Sequence, residues 1–222
     1  MRINTLLVNK LKLTHREIND MLDEGAVCIN EVKAQKGQWI TAADTISFRG
    51  KILQNGQALF YLAYHKPVGV ESTMNKRITN NLIEATGINQ YFFPVGRLDK
   101  ASEGLMLLTN DGNLYQYITA EQNKVLKKYL VEVNQIIDKK FLTDMSQGIE
   151  ILGRYTKACS VHQVSTHSFE ISLLEGRNRQ IRRMCYKLGY EVKTLCRIAI
   201  GKLQLNQMPS GCYSEVTKDM II

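Results

Sequence analysis

Pro94-Val-Gly-Arg97-Leu-Asp99-Lys-Ala-Ser-Glu-Gly104, followed by Leu105-Met-Leu-Leu108, is the stretch on which the fold of this chain turns. The apolar run is too short for a typical helix and stops at Thr109-Asn-Asp-Gly112. It reads as a buried strand entered from a loop. The loop holds Arg97 and Asp99 between Gly96 and Gly104, and glycine lets a backbone come close to a ligand. Residues two apart on an extended segment project to one side, so Arg97 and Asp99 can face a common site. An ordinary surface Arg–Asp pair beside a core strand fits the same spacing.

Downstream, Leu114–Ile118 reads as a short helix capped by Asp111. Lys127-Lys128-Tyr129-Leu-Val131-Glu-Val133 alternates like a half-buried strand, with Tyr129, Val131 and Val133 on one face. A strand tyrosine is commonly a core aromatic with its hydroxyl at the rim. A ring flanked by lysines also suits a flipped base. Lys139–Gln147 is an amphipathic helix stopped by Gly148, and Phe169, Ile171 and Leu173 alternate as another strand. Glu175-Gly-Arg177-Asn-Arg179-Gln-Ile-Arg182-Arg183-Met184 follows. Ile181, Met184, Cys185 and Leu188 mark the apolar face of a helix ended by Gly189, with Arg179, Arg182 and Arg183 on another face. Like charges so close repel unless a polyanion or a buried carboxylate meets them.

Upstream, Ala58–Tyr64 reads as a buried strand ended at Pro67, which lacks a ladder donor. Residues 71–93 form a loop and a short helix. Before them, residues 3–9 make a short helix and Thr14-His-Arg-Glu17 a capping box. Ile18, Met21 and Leu22 continue that second helix to Gly25. Val27–Lys33 is a strand, turn and strand, and Thr45–Phe48 closes the segment. Lys10, Lys12, Arg16 and Lys33 make this a compact basic module, although a solvated helix face with mixed charge has the same pattern. Arg49–Gln57, with two glycines, reads as a linker, so domains are expected at 1–49 and 58–222 with residues 50–57 between them.

The chain has 222 residues, 44% of them hydrophobic, and 29 Lys plus Arg against 21 Asp plus Glu, a formal charge of +8. This is a globular composition with room for a mid-sized domain and a small one. The positive surplus fits RNA, DNA or an acidic membrane surface, or simply a basic enzyme. Five cysteines show no metal or redox spacing, which points to reduced thiols. The N-terminus lacks a signal-peptide core and no run reaches membrane-spanning length, so a cytoplasmic location is expected.

The string from Gly96-Arg-Leu-Asp99 through Ser102-x-Gly-Leu-x-Leu-Leu-Thr-Asn-Asp-Gly112 resembles the signature of the RNA pseudouridine synthases. Lys127-x-Tyr129-Leu-Val131 resembles the second motif of that family, and Gly176-x-x-Arg179-Gln-Ile-Arg182-Arg-Met184 another. Val192–Gly201 resembles its closing motif. His65-Lys66-Pro67-Val-Gly69 is similar to its Asn-Lys-Pro-x-Gly string, with His65, read as structural, in place of Asn. Residues 1 to about 49 resemble an S4-type RNA-binding domain, with His15 where an arginine is usual. Ile151–Cys159 and Arg179–Cys185 bring the chain closest to the large-subunit ribosomal F group.

The resemblance implies an α+β fold: a mixed, largely antiparallel sheet with flanking helices, plus a small N-terminal S4-like lobe. It implies Asp99 as the catalytic residue, Tyr129 against the target base, Arg182 paired with Asp99 and Leu195 lining the uracil pocket. Arg97 would fill the stack left by a flipped uridine. Lys10, Lys12, Arg16, Lys33, Lys128, Arg177, Arg179 and Arg183 are the expected RNA contacts. The implied reaction turns uridine into pseudouridine with no metal and no cofactor, since no atoms or electrons are exchanged. Whether Asp99 is nucleophile or base at the sugar stays open. Large-subunit ribosomal RNA is the expected partner of a monomer, with tRNA or small-subunit ribosomal RNA as alternatives. A non-catalytic ribosome-assembly factor is the reading from another class.

Overall fold

The structure, a computed structural model, describes residues 2–222 and divides into two compact units. The first comprises the chain up to Tyr61 together with Thr109–Tyr117, and the second Leu62–Leu108 with Ile118–Ile222.

In the first unit, helix α1 (Ile3–Leu11) ends at Lys12 in the left-handed region. Helix α2 (His15–Asp23) starts at the expected capping box: the Thr14 hydroxyl accepts from the Glu17 amide, and the Glu17 carboxylate accepts from the Thr14 amide at 2.8 Å. Strands β1 (Val27–Ile29), β2 (Val32–Lys33), β3 (Ile46–Phe48) and β4 (Lys51–Gln54) pair antiparallel in the order β2-β1-β3-β4. Ile3, Leu7, Ile18, Val27 and Ile46 are wholly buried between helices and sheet.

The expected linker at 50–57 is therefore a strand over Lys51–Gln54. The Arg49-Gly50 turn folds it back so that Ile52 pairs with Ser47. The expected boundary at residue 58 also moves. Asn110 Nδ2 donates to the Ala58 carbonyl at 3.0 Å and its Oδ1 accepts from the Phe60 amide at 3.1 Å. The Tyr61 hydroxyl donates to the Asp111 carboxylate at 3.0 Å, and burial with that carboxylate pushes the phenol up to about 12. These side chains fasten Thr109–Asp111 to Ala58–Tyr61, so the first unit is discontinuous in sequence.

The second unit holds strands β5 (Tyr61–Lys66), β6 (Phe93–Val95), β7 (Glu103–Thr109), β8 (Lys127–Val133), β9 (Glu150–Ile151), β10 (Arg154–Tyr155), β11 (Ser160–Gln163), β12 (Ser168–Leu173), β13 (Val192–Ile200), β14 (Leu203–Gln204) and β15 (Tyr213–Glu215). Its helices are α3 (Leu82–Thr86), α4 (Gly112–Thr119, shared with the first unit), α5 (Lys139–Gln147) and α6 (Gln180–Lys187). The sheet path is β11-β12-β8-β13-β7-β5-β15, with β14 added to β13 and β6 to β7; β9 and β10 form a separate hairpin. Neighbours from β11 to β13 are antiparallel, as are β5 and β15, and β13 runs parallel to β7. This is the expected mixed, largely antiparallel sheet.

The β5 strand starts later than expected, at Tyr61, and ends at Lys66, immediately before Pro67. Asp111 caps α4 as expected, its Oδ1 accepting from the Asn113 and Leu114 amides. On β8, Val131 and Val133 are buried while Leu130 and Glu132 are exposed, which is the alternation read from the sequence. Phe141 and Met145 of α5 and Ile181, Met184 and Cys185 of α6 cover Val131, Val133, Phe169 and Ile171. Burying each such large apolar side chain contributes about 1.5–3 kcal/mol, so both helices are held to one face of the sheet.

Candidate active site

The central motif lies in the second unit as a loop between β6 and β7. Leu98 is buried, Arg97 is exposed and Asp99 is partly exposed, so the two polar side chains flank a buried one. Ser72, itself buried, clamps the point between them. Its hydroxyl donates to the Leu98 carbonyl at 2.5 Å and accepts from the Leu98 amide at 3.1 Å. Further on, the Ser102 amide donates to the Asp99 carbonyl at 3.0 Å and the Gly69 amide to the Lys100 carbonyl at 2.8 Å. Backbone on both sides of Asp99 is therefore fixed, and the carboxylate stays one-third exposed.

Gly104 ends the loop at φ 109°, and a Cβ there would stand 2.4 Å from the Arg197 amide nitrogen and carbonyl oxygen. Only glycine allows β7 to approach β13 so closely. The register lines up Ile171, Tyr129, Arg197 and Gly104 across β12, β8, β13 and β7. Tyr129 is half-buried over the core cluster, and Leu195 is buried in that cluster opposite Val131. The Arg197 guanidinium is buried, donates from Nε to the Leu105 carbonyl at 2.7 Å and leaves Nη2 without a partner.

The arginine helix departs from expectation. It begins at Gln180, and Arg179 is its N-cap in the left-handed region at φ 51°, not a member of its face. Arg179 Nη1 comes to 4.0 Å from Asp99 Oδ2. Arg182, expected to pair with Asp99, instead donates from Nη2 to the Ala101 carbonyl at 2.7 Å and from Nη1 to the Val192 carbonyl at 3.1 Å. Burial and then Arg179 push its guanidinium below the ordinary value, while Asp99 acts the other way. Both arginines thus lie within electrostatic reach of Asp99, with Arg182 also tying the loop to β13.

The turn before the helix is built on buried Glu175. Its carboxylate accepts from the Lys157 amide and Gln180 Nε2, both at 3.0 Å, and from Arg177 Nε at 3.1 Å. Arg177 also donates to the Arg154 and Tyr155 carbonyls, so it ties the turn to the β9–β10 hairpin. Arg183 bonds Asn178, and Lys128 pairs with Glu170 at 3.4 Å, both on the surface. In the first unit Lys10, Lys12, Arg16 and Lys33 are all exposed, with the Lys33 stem over Gly25.

Lys66, Ser72 and Arg197 were not singled out as site residues from the sequence. Lys66 is wholly buried, donates to the Pro67 and Val70 carbonyls at 2.8 Å each, and is pushed down to about 8 by burial. Glu71, Glu103 and Asp99 partly oppose that push. The Lys-Pro dipeptide was a signal for Lys66; a lone serine in a loop gave none for Ser72. No described helix is long and apolar enough to cross a membrane.

The sequence profile of a family described as RNA pseudouridylate synthase matches residues 60–187. Over 224 residues the chain is 36% identical to the dual-specificity RNA pseudouridine synthase RluF of Escherichia coli K12, covering all of this chain and 77% of that one. It is 28% identical over 227 residues to the ribosomal large subunit pseudouridine synthase B of Bacillus subtilis, covering 97% of this chain and 92% of the other. Its fold matches a pseudouridylate synthase crystal structure with a TM-score of 0.70 at 24% identity, over 100% of this chain and 98% of that one.

Proposed function

The chain belongs to the RNA pseudouridylate synthase family and is an RNA pseudouridine synthase; on that premise we propose that it isomerises a uridine of large-subunit ribosomal RNA with Asp99 as its catalytic carboxylate. The observation that carries the assignment is the Asp99 loop. It holds one partly exposed carboxylate on a backbone clamped by Ser72 and tied by Arg182, with Arg179 at 4.0 Å. Arg179 is the cation nearest that carboxylate among the described ion pairs, and a carboxylate is the group that attack at C1′ or proton removal from the sugar requires.

In the reaction N1–C1′ breaks, the uracil turns, and C5 bonds to C1′; C5 gives up its proton and N1 gains one, so atoms and electrons balance. The uridine must leave its stack to reach Asp99. Exposed Arg97, on the same loop, would occupy the gap. Tyr129, one strand over from Arg197, would offer its ring to the base. Arg179 and Arg183 would hold neighbouring phosphates, and Lys10, Lys12, Arg16 and Lys33 of the N-terminal unit would add sequence-independent grip. Work on ribosomal RNA would place the enzyme in the cytoplasm.

The target is supported by the ribosomal large subunit in the name of the Bacillus relative. The dual specificity named for the Escherichia relative supports a second target, and tRNA or small-subunit ribosomal RNA is the alternative. Carbodiimide-adduct mapping of pseudouridine in large-subunit ribosomal RNA and tRNA from wild-type and deletion strains tests this. A site lost in the large-subunit RNA of the deletion strain is expected; loss only in tRNA would move the target there.

A further inference from the structure

A cavity opens beside the Asp99 site; Arg179 and Arg183, assigned above to phosphates, line it, and its aromatic and apolar walls have no part in the proposed reaction. Its volume is about 500 Å³ and its walls include Leu152, Arg179, Arg182, Arg183, Tyr186 and Lys187. That lies within the roughly 300–1,000 Å³ usual for a bound small molecule or nucleotide. The cavity shares Arg179 and Arg182 with the catalytic site, but Asp99, Arg97 and Tyr129 are not among its walls. Its charge is one-sided: against three arginines and a lysine stands Glu191, which already pairs with Lys193 at 3.1 Å. Cations gathered so closely are stabilised by an anionic occupant.

Aromatic and apolar groups stand uncovered around those cations. Tyr186 is 81% exposed on the turn of α6 that buries Met184 and Cys185, so its ring serves no core. Leu152 and Tyr155 of the β9–β10 hairpin are 61% and 71% exposed. The hairpin is held in place by Arg177, whose Nη2 donates to the Tyr155 carbonyl at 2.7 Å. Of these exposed groups Leu152 and Tyr186 line the cavity, and an exposed ring set among cations is the design of sites that stack unpaired bases and track their phosphates.

We propose that this cavity seats an unpaired nucleotide of the RNA flanking the target uridine, its base on Tyr186 and its phosphate between Arg179 and Arg183. The proposal rests on the chain acting on RNA. Arg179 connects the two places, since the same guanidinium reaches Asp99 at 4.0 Å and lines the cavity. The flanking nucleotide would thereby set the register in which the uridine meets Asp99.

The test uses the full chain and a fluorescein-labelled oligouridylate dodecamer, read by anisotropy over a salt series. Tyr186→Ala is expected to weaken binding by about 5-fold or more at every salt concentration, with an unchanged salt slope. Tyr186→Phe should stay within about twofold of wild type because the ring face survives. Arg183→Gln should make the slope shallower by about 0.7, one phosphate on a single strand. Equal affinity of Tyr186→Ala and wild type, or equal losses in the Ala and Phe variants, would overturn the stacked base. Polyglutamate that displaces the oligouridylate as well as unlabelled oligouridylate does would overturn the nucleotide in favour of an acidic protein segment. Pseudouridine formation by the same wild-type preparation is scored separately. Its absence overturns the proposed reaction, while the affinity comparison still decides the cavity.

Discussion

Replacing Ser72 by alanine strikes the Asp99 loop without touching any group that meets substrate. The Ser72 hydroxyl makes two bonds to Leu98, at 2.5 Å to its carbonyl and 3.1 Å from its amide, and both residues are buried. A net hydrogen bond is worth about 0.5–1.5 kcal/mol, and a buried group left unpaired costs about 1–3 kcal/mol. Losing the hydroxyl orphans both Leu98 groups, so we expect a loss of about 2–4 kcal/mol, read as a lower urea midpoint at constant slope. The released loop also lets Asp99 wander, and a displacement near 1 Å costs on the order of 100-fold in rate. Turnover on saturating RNA should therefore fall by about 10- to 100-fold while RNA affinity holds. Stability within about 0.5 kcal/mol of wild type together with turnover within twofold would refute the clamp.

Other perturbations separate position from chemistry. Arg179→Gly relieves a left-handed backbone at φ 51°, worth about 1 kcal/mol, against a glycine entropy cost of about 0.5–1 kcal/mol, and so should leave stability nearly unchanged while turnover falls about 10-fold or more; full turnover would refute the role of the Arg179–Asp99 approach. Lys66 titrates near 8 in the fold and at its ordinary 10.5 when unfolded, so the unfolded chain carries the extra proton between those values. Wild type should therefore gain stability relative to Lys66→Met as pH rises through that window, and a constant gap in denaturant titrations would contradict the burial. Tyr129→Phe should keep most RNA affinity and Tyr129→Leu should lose more, since stacking is worth roughly 1–3 kcal/mol per base; equal affinity and turnover in the two would remove the ring from the site.

What the sequence disclosed was what short-range physics decides. The Thr14–Glu17 capping box, the β8 strand with its buried Val131 and Val133, and α5 from Lys139 to its stop at Gly148 appear where periodicity and caps put them. Arg97 and Asp99 flank a buried Leu98, as their two-residue spacing suggested. Contacts between distant segments left little or no trace in the sequence. Ser72 reaches Leu98 across 26 positions, and Arg197 reaches Leu105 across 92. Glycines at 50 and 56 looked like a flexible link, yet the residues between them include an edge strand of the first sheet. Arg179, read as part of the helix face, is instead its N-cap and comes to 4.0 Å from Asp99, because a left-handed arginine cannot be read from composition. Arg177 pairs with Glu175, a buried carboxylate that needs its cation nearby, and no local signal in the sequence marked that pair.

The most direct measurement is pseudouridine formation by purified Asp99→Asn on the ribosomal RNA that the wild-type protein modifies, quantified by carbodiimide adducts and checked by binding of the same RNA. The substitution keeps size and removes the anion beside Arg179. The account predicts RNA binding within a few-fold of wild type and no detectable pseudouridine; pseudouridine accumulating at a near wild-type rate would contradict it.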